Sequence, residues 1–178
     1  LKDLRFGLQI PMRVFPVALY QDGDDQFANT LLVTDIGLEG YVSEDVTSDG
    51  RVSVTLSCGY THHSLANLDG EALLNPSVSL VRGGGEIEIR ILRKADPRDG
   101  YWMGTYLSAS EAIPVMYRDH LTILGAGYRS QLTRHLSISG GILVLPLSSE
   151  LVGIHTNSGT VLKLERVAYE FNFIRFTF

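Results

Sequence analysis

One stretch of this chain gathers side chains able to do chemistry: Tyr60-Thr61-His62-His63-Ser64-Leu65-Ala66-Asn67-Leu68-Asp69-Gly70-Glu71. It offers an imidazole, a hydroxyl two residues later and carboxylates a few residues beyond. Alternate residues of an extended backbone share a face, so His62 and Ser64 come to lie on the same side. A base, a nucleophile and an orienting acid are the parts that acyl transfer needs, here His62, Ser64 and Glu71. The plainer reading is a rim of solvated polar residues, because short motifs often match by chance. His62 and His63 are a poor metal pair, since adjacent strand residues point to opposite faces and no third ligand is in view. Gly83-Gly84-Gly85 is followed by neither a helix nor a Lys-Ser/Thr pair, so it is no phosphate cradle. Asp22-Gly23-Asp24-Asp25 lacks calcium-loop spacing and reads as a solvated turn. No cofactor is implied.

The elements that must position these residues are strands. Period two runs through the chain, and no sustained helical spacing appears. Residues 4–15 place Leu4, Phe6, Leu8, Ile10, Met12 and Val14 on one face, with Arg5, Gly7, Gln9, Pro11 and Arg13 on the other. Pro11 has no ladder donor and Pro16 follows, so this strand is expected to carry a bulge or to end early. Further strands fall at 27–43, at 52–61 after a Ser48-Asp49-Gly50 hairpin signal, and at 77–93, 100–110, 119–132, 136–147 and 160–178. Apolar parity switches near Gly83-Gly84-Gly85, which is expected to be a bulge inside one long strand rather than a turn. His120 and His155 fall near the rim that carries His62, and His135 in the opposite turn.

Eight strands in 178 residues make one domain, 1–178, closing as an eight-stranded antiparallel up-and-down β-barrel. No run of about 18 apolar residues spans a bilayer as a helix, so a membrane would be crossed by strands. Alternation alone does not say which face looks outward, and a soluble ligand-carrying barrel has the same plan. The polar face decides. A watered exterior is usually rich in Lys and Glu, yet Lys occurs only at positions 2, 94 and 163. Ser53, Thr55, Ser57, Gly59, Ser137, Ser139 and Gly141 suit a crowded interior. Arg5, Arg13, Asp35, Glu39, Glu86, Glu88, Arg90, Lys163 and Glu165 bring both signs, as expected of a paired network filling the lumen. Phe15, Tyr20, Phe27, Tyr41, Tyr60, Tyr101, Trp102, Tyr117, Tyr169, Phe176 and Phe178 near strand ends are expected as interfacial girdles. Cys58 is expected as a small buried apolar filler. The net charge of −5 argues against nucleic acid as a partner.

The final stretch, Val167 to Phe178, alternates Ile174, Phe176 and Phe178 with polar residues and resembles the closing strand of bacterial outer-membrane β-barrels. That resemblance implies location in the bacterial outer membrane, termini and short turns in the periplasm, and longer loops outside. The Gly-x-Trp that soluble lipocalins usually show near the first strand is absent. His62-x-Ser64 resembles the outer-membrane lipid A deacylases, which implies hydrolysis of a lipid ester; it departs from them in having Leu65 after the serine and in lying in the third strand. The same stretch is similar to a His-x-Ser-Ser-His-Leu-Gly-Asp-Glu signature of an uncharacterised outer-membrane family, matched by His62, Ser64, Leu68, Asp69 and Glu71. The partners implied are membrane lipid or lipopolysaccharide, and a protein engaged through the loops. Whether the chain is an enzyme stays open at this point.

Overall fold

Alternating apolar and polar residues, with β-branched and aromatic side chains on the apolar parity, produce long ladders in the computed structural model of the chain. It describes residues 4–20, 31–66, 77–93, 102–114, 120–133, 135–146, 161–164 and 167–178. The strands are β1 Arg5–Tyr20, β2 Leu31–Asp45, β3 Val52–Ala66, β4 Ser77–Arg93, β5 Trp102–Pro114, β6 Leu121–Gln131, β7 Leu136–Val144, β8 Val161–Leu164 and β9 Val167–Thr177. Every neighbouring pair is antiparallel, and β1 bonds to β2 on one side and to β8 and β9 on the other. The sheet therefore closes, with β8 and β9 in line as a single eighth stave. No sheet edge is left open between the first and last staves.

Following cross-strand partners once around from Arg5 leads through Ser43, Thr55, Glu86, Ser108, Gly125, Leu143 and Ala168. The path meets β1 again beside Val14, roughly ten residues further along. A stagger of that size tilts the staves by roughly 35–45° and leaves an interior that side chains can fill. The 46–51 turn between β2 and β3, and the start of the β6–β7 link, where the Leu132 and Thr133 amides bond to the Leu136 carbonyl, mark one end of the barrel, hereafter the turn end. The Phe178 amide bonds to the Phe6 carbonyl at the same end.

The wall is apolar outside and polar inside. Leu38, Leu56, Ile89, Leu107 and Ile142 are exposed, whereas Arg13, Asp35, Glu39, Glu88 and Arg129 are each 3% exposed or less. A soluble carrier barrel requires the reverse, so that alternative is set aside. The interior also holds what the expected all-polar filling lacks. At the end opposite the turns, Phe15, Leu80, Ala112, Ile123, Leu143 and Leu145 are buried inside.

Several expectations are corrected by the register. β4 runs through Gly83-Gly84-Gly85 in unbroken register with β3 and β5, so no bulge lies there. The parity switch is real in sequence, but it reflects Leu80 joining the apolar inner layer while Ile87 and Ile89 face out. Register shifts fall instead at Ile10/Pro11, Arg90/Leu92 and Ser137/Ser139. The first and third place the extra residue on β9, between Asn172 and Ile174, so β1 neither bulges at Pro11 nor ends early: it keeps its register with β2 and continues to Tyr20. Among the expected girdle aromatics, Tyr60, Tyr169, Phe176 and Phe178 do face outward, but Phe15 and Tyr41 are buried inside. Trp102 lies against the inward Arg90 guanidinium. Cys58 is exposed on the outer wall, not buried, because its parity is that of Leu56 and Tyr60. The acidic stretch 22–25, the 94–99 turn and the side chains of Lys163 and Glu165 lie outside the described residues.

Candidate functional site

β3 extends beyond the expected end at Thr61 as far as Ala66, so His62 and Ser64 belong to the strand. Both occupy the outward parity, shared with Leu56 and Tyr60. His62 is exposed and pairs across the ladder with Ile36 and Ser79. Ser64 lies opposite Thr34, and the two hydroxyls are 3.0 Å apart. The shared face is thus as the spacing requires. Among the described residues no hydrogen bond joins the imidazole to the serine. Glu71 and His155 lie outside the described residues, and no group of three metal-ligating side chains occurs among the described ones.

The densest assembly of chemistry is in the lumen, where inward positions of six staves meet. On β1, Arg13 donates from Nε to Glu170 at 2.6 Å, from Nη2 to Glu39 at 2.7 Å and from Nη1 to Asp35 at 3.4 Å. Gln9 donates to the other oxygen of Glu39 at 2.7 Å. Arg82 stands 4.0 Å from Glu39 and 3.9 Å from Glu170. This cluster lies nearer the apolar layer.

A second cluster lies toward the turn end. Arg129 forks onto Glu86 and also reaches Glu88 at 2.7 Å. Arg175 bonds to Glu86 and Thr55, each at 3.1 Å. Arg90 spans Glu88 at 3.3 Å, Asp45 at 3.0 Å and the Gly50 carbonyl at 2.7 Å, and Arg5 pairs with Asp45. Three of these guanidiniums also lie over rings: Arg175 over Tyr41, Arg129 over Tyr106 and Arg90 over Trp102. Planar cations suit that placement, because the ring face is negative and weakly hydrated guanidinium gives up little water.

Among the described residues the network holds six arginines, at 5, 13, 82, 90, 129 and 175, and six carboxylates, at 35, 39, 45, 86, 88 and 170. Matched signs are what burial demands, since removing one partner of a buried pair costs about 3–5 kcal/mol. Cross-links between staves far apart in sequence tie the wall together from inside. Among the described residues the network leaves small cavities, one of about 50 Å³ toward the turn end and one of about 30 Å³ beside Arg82. The network braces the wall from inside.

Arg5, Arg13, Asp35, Glu39, Glu86, Glu88 and Arg90 are legible as this network from their parity. That reading misses Arg82, Arg129, Glu170 and Arg175. Arg129 is a lone charge on the inward parity of β6, Arg82 shares the inward parity of β4 with Glu86, Glu88 and Arg90, and Glu170 and Arg175, of opposite parity in sequence, both face inward only because the register of β9 shifts between them. Tyr106 carried no such signal. Its burial depends on glycines of the two staves beside it: a Cβ at Gly127, its ladder partner, would sit 2.7 Å from its ring, and one at Gly141, on the next strand, 2.5 Å from its hydroxyl.

No protein-family model and no curated protein matches the chain. Among solved structures it is similar to the toluene transporter TbuX of Ralstonia pickettii, with 12% identity over 94% of this chain and 72% of that one, at a TM-score of 0.27. A likeness of that degree carries no weight for fold or cargo, and the architecture stands on its own registers and burial.

Proposed function

We propose that the chain is a small bacterial outer-membrane β-barrel with a filled lumen, acting in a structural or partner-binding role through the loops opposite the turn end. One observation carries this: an exposed apolar wall surrounds a buried, charge-matched interior. Water would penalise that wall and hydrocarbon would not, and the ladder closes, with β1 paired on both sides. In this reading the turn end faces the periplasm and the loops face outward. The test is purification and gel migration: the protein is expected to need detergent, and to run at different positions before and after boiling. Full solubility in plain buffer would overturn the reading.

A second reading, hydrolysis of a lipid ester or lipopolysaccharide acyl chain at the outer leaflet by Ser64 and His62, has one observation in favour. Both side chains lie on the outward parity, where a lipid would be met. Against the simple dyad stands the contact of the Ser64 hydroxyl with Thr34. Ser64→Ala is expected to abolish release of fatty acid from extracted outer-membrane lipid while leaving the folded gel band intact; unchanged release discards the enzyme.

A further inference from the structure

The lumenal charges balance overall but not locally. Among the described residues, the cluster nearer the apolar layer holds Arg13 and Arg82 against Asp35, Glu39 and Glu170. The turn-end cluster holds Arg5, Arg90, Arg129 and Arg175 against Asp45, Glu86 and Glu88. One excess positive charge therefore sits at the turn end. The cavity of about 50 Å³ lies among those four arginines, with hydroxyls such as those of Tyr41, Ser53 and Thr177, the Gln131 amide and Trp102 on its lining; Glu88 also lines it, its charge already paired with Arg90 and Arg129. At about 10–15 Å³ per water site, it has room for roughly four waters, which is the size of a small oxyanion.

Two of the lining guanidiniums keep a buried Nε–H without an acceptor, at Arg5 and at Arg129. The second belongs to a residue only 3% exposed. A buried cationic donor without a partner is costly, and an anion is the group that satisfies donor and charge together. We infer that this cavity is a binding site for a small oxyanion, a phosphate or a carboxylate, entering from the turn end of the barrel. Planar guanidinium forks and hydroxyls are the groups that recognise such oxygens. The inference stands on the lumen itself and does not depend on the membrane reading.

Trp102 is the chain's only tryptophan, so its fluorescence reports on this cavity alone. The full chain folded in detergent is titrated with sodium phosphate, and separately with sodium acetate, at ionic strength held constant with sodium chloride. Binding is followed by fluorescence and by calorimetry. A saturable response is expected, and none with chloride alone. Saturation by phosphate only assigns a tetrahedral oxyanion, and saturation by acetate assigns a carboxylate; either supports the site. Arg5→Gln, which leaves Asp45 still paired with Arg90, is expected to weaken binding roughly tenfold or more. Arg51→Gln, on the exposed hairpin, is expected to leave it unchanged. Arg129→Gln should abolish binding, and should that variant fail to fold, Arg5→Gln carries the test. A response absent from both measurements with both anions, or equal in Arg5→Gln and wild type, overturns the proposal.

Discussion

At Gly7 the side chain is missing because there is no room for one. It faces inward, where a Cβ would collide with the Phe176 carbonyl and the ring of Tyr41. That ring is in turn held by Arg175 above it and by hydroxyl contacts to Thr177 and the Phe176 carbonyl. Gly40, one strand away and outward, is a different case: the nearest atom to its added Cβ is the Cys58 carbonyl at 3.9 Å. Gly7→Ala is therefore expected to destabilise the barrel by about 1–3 kcal/mol through overpacking. Gly40→Ala is expected to change stability by about 0.5 kcal/mol or less. Urea unfolding in lipid vesicles measures both, and equal effects would mean that the inner packing is not as tight as described.

The β2–β3 hairpin shows how an element ends. Gly50 adopts φ 65°, a left-handed conformation that favours glycine, and its amide bonds to the Thr47 carbonyl at 2.9 Å. The Thr47 hydroxyl accepts from the amides of Arg51 and Val52, both at 3.0 Å, and Asp49 accepts from the Arg51 amide at 3.1 Å. The Thr47 hydroxyl, followed by the Arg51 amide, holds the Asp49 carboxyl below its ordinary value. A carboxyl lowered by folding adds stability above the ordinary carboxylate range, and that contribution is lost as pH falls through the lowered value. Thr47→Val is expected to return the Asp49 titration toward the ordinary range, read by NMR as a function of pH. An unmoved titration would assign the shift to other contacts. Ser48-Asp49-Gly50 was legible as this turn because the turn itself fixes its residues.

For the whole molecule, the consequence of the inversion is a depth profile. Arginine placed in turn at Val54, Leu56, Tyr60 and His62, all outward on β3, is expected to cost most in the middle of the wall, about 2–4 kcal/mol, and about 0–1 kcal/mol near either end. Equilibrium unfolding from lipid vesicles gives the profile, and a flat one would mean that the wall meets water.

Period two by itself determined the strands and which residues share a face, because a side chain in a strand can point only two ways. Which face is the lumen rested on the chemistry of the polar face, few lysines and paired signs, and Arg13 and Glu39 could be placed inside on those two grounds together. Tertiary structure decided whatever depends on a partner across the lumen. Residues 142–145 are apolar on both parities, and only closure shows Leu143 and Leu145 buried inside, at the end that also buries Phe15 and Leu80. Parity placed Tyr41 opposite the apolar face, but its position near a strand end suggested a girdle. Only the register, which brings Gly7 and Arg175 against its ring, makes it a lumenal residue. His62 and Ser64 share a face by spacing. That the face is the outer wall was fixed by the direction in which the sheet curls, which a local pattern of alternation does not contain.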